Sequence, residues 1–156
     1  AKEALQLWEE ASIDYNYVLN KNPKDLSALY NLGNVMGSMD NWIEAKRLFS
    51  KAASSNNAIA MARSSEALAI YQLDDLELAE KKIRILIRKY PLFADARAAL
   101  SALLWRKGFK GEAESNWAAA AGLDIRYREK NWLLKIRRWP PKPTNDLIAF
   151  LALEDR

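Results

Sequence analysis

The strongest constraint on this chain is a period. Alanines stand 34 residues apart at Ala11, Ala45, Ala79 and Ala113. Four positions after each stands a bulky residue: Tyr15, Phe49, Ile83 and Trp117. Twelve positions after each stand Pro23, Asn57, Pro91 and Ile125. Small residues recur in the same phase at Gly33, Ala67 and Ser101, each followed three positions later by Met36, Ile70 or Leu104. Columns that stay in one phase without a gap require one structural unit used repeatedly. Residues 26–57 show what the unit is. Leu29, Leu32, Gly33 and Met36 fall at i, i+3, i+4 and i+7, one face of a helix. After a turn at 38–41, Trp42, Ala45, Leu48, Phe49 and Ala52 give a second apolar face. Glycine and alanine on those faces let the two helices approach closely.

The pattern L-x2-L-G-x2-M followed by A-x3-F resembles the tetratricopeptide repeat, a helix–turn–helix unit. There are departures. Glu66 stands where Leu32 and Leu100 do, Asn57 and Ile125 replace proline, and Arg63 and Arg97 occupy a usual bulky site. The resemblance implies an all-α fold, a right-handed superhelical solenoid of such repeats with C-terminal capping helices. Its expected divisions are 1–25 as a half repeat, then full repeats at 26–59, 60–93 and 94–125. Residues 126–156 would form a basic capping helix, a proline-rich turn and a short final helix.

Composition narrows the chemistry. The chain has 156 residues and is 50% hydrophobic, enough for a sizeable core. It contains no cysteine and no histidine, so thiolate chemistry, disulfides and the usual near-neutral general base are absent. No G-x-S-x-G elbow or phosphate-cradling glycine loop occurs, and the adjacent pairs Glu9–Glu10 and Asp74–Asp75 do not face each other on a helix. Catalytic residues, metal ligands and cofactors are therefore expected to be none. No run of about 18 apolar residues occurs, so a transmembrane helix is not expected. The chain begins with alanine, and a processed protein or a fragment is expected, with any targeting peptide out of view.

Local signals place the helix ends. Asp74 and Asp75 form a turn suited to the positive end of the next helix, and Pro91 stops that helix. Gly122 is expected as a C-cap. In the tail, Tyr127, Trp132, Leu133, Ile136 and Trp139 are expected along one inward helical side. The segment W-P-P-K-P is expected to break any helix, with Thr144 capping a short final one.

Charge concentrates in the tail. Residues 1–125 hold sixteen basic and sixteen acidic side chains. Arg126, Arg128, Lys130, Lys135, Arg137, Arg138 and Lys142 then face only Glu129. Such a stretch reads either as a solvated cap face or as a surface for an acidic protein or an anionic membrane. Nucleic acid is not an expected partner, because no nucleic-acid-binding motif is present.

In stacked repeats the first helix of each pair lines the concave side. The family's groove positions map to Ser27, Tyr30, Asn31 and Asn34, then to Met61, Ser64, Ser65 and Leu68, then to Asp95, Ala98, Ala99 and Ala102. Tyr71 and Trp105 lie near the rim. Small neutral residues with a few amides suit an extended or helical protein segment, and Asn31 and Asn34 can both donate to and accept from its main chain. The carboxylate clamp of heat-shock co-chaperones is not present, since Met61 and Ser65 stand where a basic pair would be needed.

The tail carries a finer resemblance. Asn131, Trp132, Leu133, Ile136, Arg137, Trp139, Pro140 and Pro141 resemble the C-terminal extension of tetratricopeptide proteins of cyanobacteria and chloroplasts. That implies a thylakoid-associated scaffold assisting assembly or stability of a photosynthetic complex such as a photosystem. The alternatives are a peripheral membrane-surface protein, a permanent structural subunit, or a generic adaptor.

Overall fold

A computed structural model of the chain describes residues 2–153, and every regular element among them is helical. The elements are α1 (Lys2–Lys21), α2 (Leu26–Ser38), α3 (Trp42–Ala53), α4 (Ala60–Gln72), α5 (Leu76–Lys89), α6 (Ala94–Arg106) and α7 (Lys110–Leu123). A 3-10 turn (Ile125–Arg128) and a π-helical turn (Trp132–Ile136) lead to α8 (Pro141–Ala152). The helices fall into two compact units divided between Ala69 and Ile70, within α4.

In the first unit, side-chain caps set where the helices begin. The Ala28 N–H donates to Asp25 Oδ1 at 2.9 Å, and the Glu44 N–H donates to Asn41 Oδ1 at 3.2 Å. Between the two caps the chain reverses through Asp40, at φ +61°. Leu29, Leu32, Leu48, Ala52 and Ala62 form one core cluster, against which Tyr15, Leu19, Tyr30 and Met36 pack. The α2–α3 contact is as close as the small residues imply. A β-carbon on Gly33 would lie 2.5 Å from Phe49 Cε1, and one on Gly37 would lie 2.6 Å from the Trp42 ring.

In the second unit, Asp75 caps α5 by accepting from the Leu78 N–H at 3.2 Å. Neither α6 nor α7 has a side-chain cap, and both rely on packing. Ala79 and Ala113 are fully buried. Ser101, the small residue of its pair, donates its hydroxyl to the Ala113 carbonyl at 2.7 Å. That contact joins α6 to α7 through the two residues that share a role in the repeat. Ion pairs reinforce the hairpins from outside: Lys107 meets Glu77 and Glu80, and Arg84 meets Glu80 and Glu112. Burial draws the Glu80 carboxyl upward, but hydrogen bonds from Lys107 and Arg84 outweigh it and hold the group below its ordinary value.

Four local expectations are corrected in whole or in part. Gly122 is not a cap, because α7 runs on to Leu123 and Asp124 leaves it in an extended conformation. The helix is broken as expected at Trp139 and Pro140, but the prolines that follow open a new one. Pro141 and Pro143 occupy the first turn of α8, where an amide hydrogen has no intrahelical partner to lose. Thr144 therefore lies inside α8, its hydroxyl donating to the Pro140 carbonyl at 2.8 Å. Finally, Ile136 points outward at 69% exposure. The turn before it is π-helical, with the Arg137 N–H bonded to the Trp132 carbonyl at 3.0 Å. That wider turn rotates the following residues away from an α-helical register.

Candidate functional site

The expected groove residues fall into two sets with different surroundings. In the first unit, α2 carries Ser27 exposed and Tyr30, Asn31 and Asn34 half-buried. Asn31 donates weakly to Ser27 Oγ at 3.4 Å, and the Tyr30 ring leans on Phe49 at 5.9 Å between centroids. Ser27 and Tyr30 open onto a cleft of about 330 Å³, whose other walls include Ala58, Ile59 and Ala62. Its lining is mostly apolar, and Ile59 is 59% exposed. On α4, Met61 is half-buried, while Ser64, Ser65 and Leu68 are buried. The amides and the phenol of α2 are thus the polar groups that remain accessible beside an apolar hollow.

In the second unit, Tyr71, Asp95 and Trp105 are each met by a different part of the chain's own C-terminal segment. Asp95 sits on the expected face of α6 but is fully buried, not open to solvent. Its Oδ1 accepts from Arg137 Nε at 2.6 Å, from the Tyr127 hydroxyl at 2.8 Å and from Trp139 Nε1 at 3.0 Å. Its Oδ2 accepts from an Arg137 terminal nitrogen at 2.8 Å. The pair is a two-pronged guanidinium–carboxylate bridge closed off from water. Burial, then the Asp95 charge, pushes the Tyr127 phenol up beyond the ordinary tyrosine range. Further along, the Tyr71 hydroxyl donates to Asp146 Oδ2 at 2.6 Å, Arg106 approaches the same carboxylate at 3.3 Å, and the Trp105 and Phe150 rings meet at 6.5 Å. Burial and the Asp146 hydrogen bond raise the Tyr71 phenol as well.

The basic stretch is correspondingly dispersed. Arg137 is a core residue, 8% exposed, and does not belong to a surface for partners. Lys142 pairs with Asp74, and Arg126 pairs with Asp124 while its guanidinium lies 4.8 Å over the Trp132 ring. Arg128 and Arg138 also have interactions within the protein. Lys130 and Lys135 are exposed. The reason for the correction is geometric: the stretch is a 3-10 turn, a π-turn and an extended link, so its seven cations share no single helical face. The Asp95 cluster was the residue set that sequence reasoning missed. Its one signal was an acid at the start of an alanine-lined helix face; its nearest basic neighbour in sequence, Arg97, donates instead to the Pro91 carbonyl and to Asn116.

These hairpins, with small residues at each helix contact and a first-helix face beside them, define the tetratricopeptide-repeat fold. Solved structures agree. MamA matches with a TM-score of 0.68 at 16% identity, over 95% of this chain and 88% of that one. YrrB, described as a TPR protein with an unusual peptide-binding site, matches with a TM-score of 0.65 at 20% identity, over 98% of this chain and 81% of that one. No protein-family model matches the sequence, and no curated protein does. No helix among the described residues is long and apolar enough to cross a membrane.

Proposed function

We propose that this chain is a non-catalytic scaffold that binds a segment of another protein on the α2 face. The observation that carries this reading is the apolar hollow that opens at Ser27 and Tyr30, with Asn31 and Asn34 half-buried on the same helix. An apolar side chain of the partner fills the hollow while the amides meet its main chain. The peptide-binding site attributed to YrrB supports the same use of the fold. The finer assignment, assembly or stability of a photosynthetic membrane complex, rests on the resemblance of the tail segment alone. In this protein Leu133, Arg137 and Trp139 of that segment are buried in the second unit, while Arg126, Arg128, Lys130 and Lys135 of the tail are exposed.

The test pairs Tyr30→Ala with Asn34→Ala. Peptides selected on the wild-type chain are expected to lose at least about tenfold in affinity on this variant, with helicity unchanged. Unaltered affinity removes the α2 face from the proposal. Charge reversal at Lys130 and Lys135 tests the tail without disturbing its folding. Capture of one photosynthetic complex from solubilised membranes, lost in the α2 variant, supports the finer assignment. Recovery of lipid alone, or of soluble chaperones alone, removes it.

A further inference from the structure

Two attachments hold the C-terminal segment, and they differ in kind. Residues 125–139 form a strap fixed by buried charge, since the Asp95 and Arg137 side chains are 0% and 6% exposed. Beyond the strap, α8 lies along α6 and is fixed differently. Its inward face is Pro143, Thr144, Leu147 and Phe150. Its polar links join Lys142 to Asp74, with side chains 40% and 56% exposed, Arg106 to Asp146, 41% and 13% exposed, and the Lys142 N–H to the part-buried Gln72 side chain at 2.8 Å. The Tyr71–Asp146 hydrogen bond is likewise part-buried. Tyr71 and Gln72 end α4 and Trp105 and Arg106 end α6, so α8 contacts the ends of two successive first helices within this unit. Those are the helices whose accessible face a repeat protein offers to ligands.

We propose that α8 is a releasable, tethered occupant of a helix-binding face made by α6 and the end of α4. The ligand that replaces it is a partner protein's amphipathic helix with a carboxylate at the position of Asp146. The occupant defines the chemistry. Leu147 and Phe150 show that the face accepts apolar side chains one helical turn apart, and Tyr71 with Arg106 forms a donor pair that reads one carboxylate between them. Release is physically separable from unfolding. The strap keeps its buried bridge, whereas α8, with 12 residues, is too short to be a stable helix alone and its ion pairs are screened by salt. Tethering gives α8 an effective concentration on the order of millimolar, so a replacement helix must bind more tightly than α8 does. This site goes beyond the α2 cleft and fails independently of it.

The experiment uses the full chain carrying Leu147→Asp and Phe150→Asp, which removes the apolar seat of α8 and leaves the strap intact. The probe is a fluorescent synthetic peptide of residues 140–153. Expected are binding to this variant, no measurable binding to the wild-type chain at micromolar peptide, and at least about tenfold weaker binding of the peptide carrying Asp146→Asn. A variant that keeps its helicity through α1–α7 yet does not bind the peptide overturns the proposal. Equal binding of the Asp146→Asn peptide overturns the carboxylate assignment. Native-state hydrogen exchange on the wild-type chain needs no variant to fold: residues 141–152 are expected to open more readily than α6 and the strap, with the gap widening in high salt. Exchange of α8 only together with α6 also overturns the proposal.

Discussion

Asp95→Asn is the substitution that tests the strap most directly. Asparagine matches the carboxylate in shape, and its Oδ1 can still accept from Tyr127 and Trp139. Its amide nitrogen would instead face the Arg137 nitrogen that now donates at 2.8 Å to Oδ2, placing donor against donor. The guanidinium, on a side chain 6% exposed, is left as a buried charge without the Asp95 counter-charge. Breaking a buried pair in this way costs about 3–5 kcal/mol. For a domain of this size that corresponds to a fall in melting temperature of about 6–20 °C, unless the strap detaches first. Urea denaturation gives the total loss. Hydrogen exchange at residues 125–139 and near-ultraviolet dichroism of the tryptophans show whether detachment comes first. The companion variant joins Asp95→Asn to Arg137→Met, which keeps the aliphatic stem of the arginine and removes its charge. It is expected to recover the stability to within about 1.5 kcal/mol of wild type. A loss under about 1 kcal/mol for Asp95→Asn, or a double variant no more stable than the single one, refutes this account of what holds the segment.

Two further outcomes follow from the packing and the tyrosines. Gly33→Ala drives a β-carbon to 2.5 Å from Phe49 and is expected to cost about 1–3 kcal/mol in urea denaturation, while Gly122→Ala, with nothing within 4 Å, is expected to stabilise α7 by about 0.5–1 kcal/mol. The folded protein also holds Tyr71 and Tyr127 protonated above the ordinary value of 10.0, so their contribution is complete below that pH and is lost as the pH rises from there toward the folded values. The expected slope is up to about 1.4 kcal/mol per pH unit for each tyrosine, and Tyr71→Phe should remove its share; an unchanged slope in alkaline urea titrations of that variant refutes the assignment.

The repeat region was legible because its information is local and periodic. Asp25, Asn41 and Asp75 mark helix starts by their own side chains, and Ala45, Ala79 and Ala113 mark helix contacts by recurring in phase. The α2 face was readable for the same reason, since Tyr30 and Asn34 follow from helical register once the unit is known. The tail was not. Nothing between Asp95 and Arg137 in sequence announces that they pair, because they lie 42 positions apart, with all of α7 and both irregular turns between them. A run of cations looks like a surface when read linearly. Here its members answer Asp74, Asp95 and Asp124 on different elements. The prolines misled for a related reason: their effect depends on whether they fall in a helix interior or in its first turn, and Pro141 falls in the first turn.

The π-helical turn at Trp132–Ile136 makes chain length itself a determinant of this protein. Deleting one residue there would let the turn relax to ordinary α-helical spacing and swing Arg137 by about 100° about the helix axis, away from Asp95. Surface connections between helices ordinarily tolerate gain or loss of a residue. This one behaves as a gauge: relatives that share the clasp are expected to keep the count from Tyr127 to Trp139 fixed while their inter-repeat turns drift, so an intact spacing identifies the clasp where residue identity has faded.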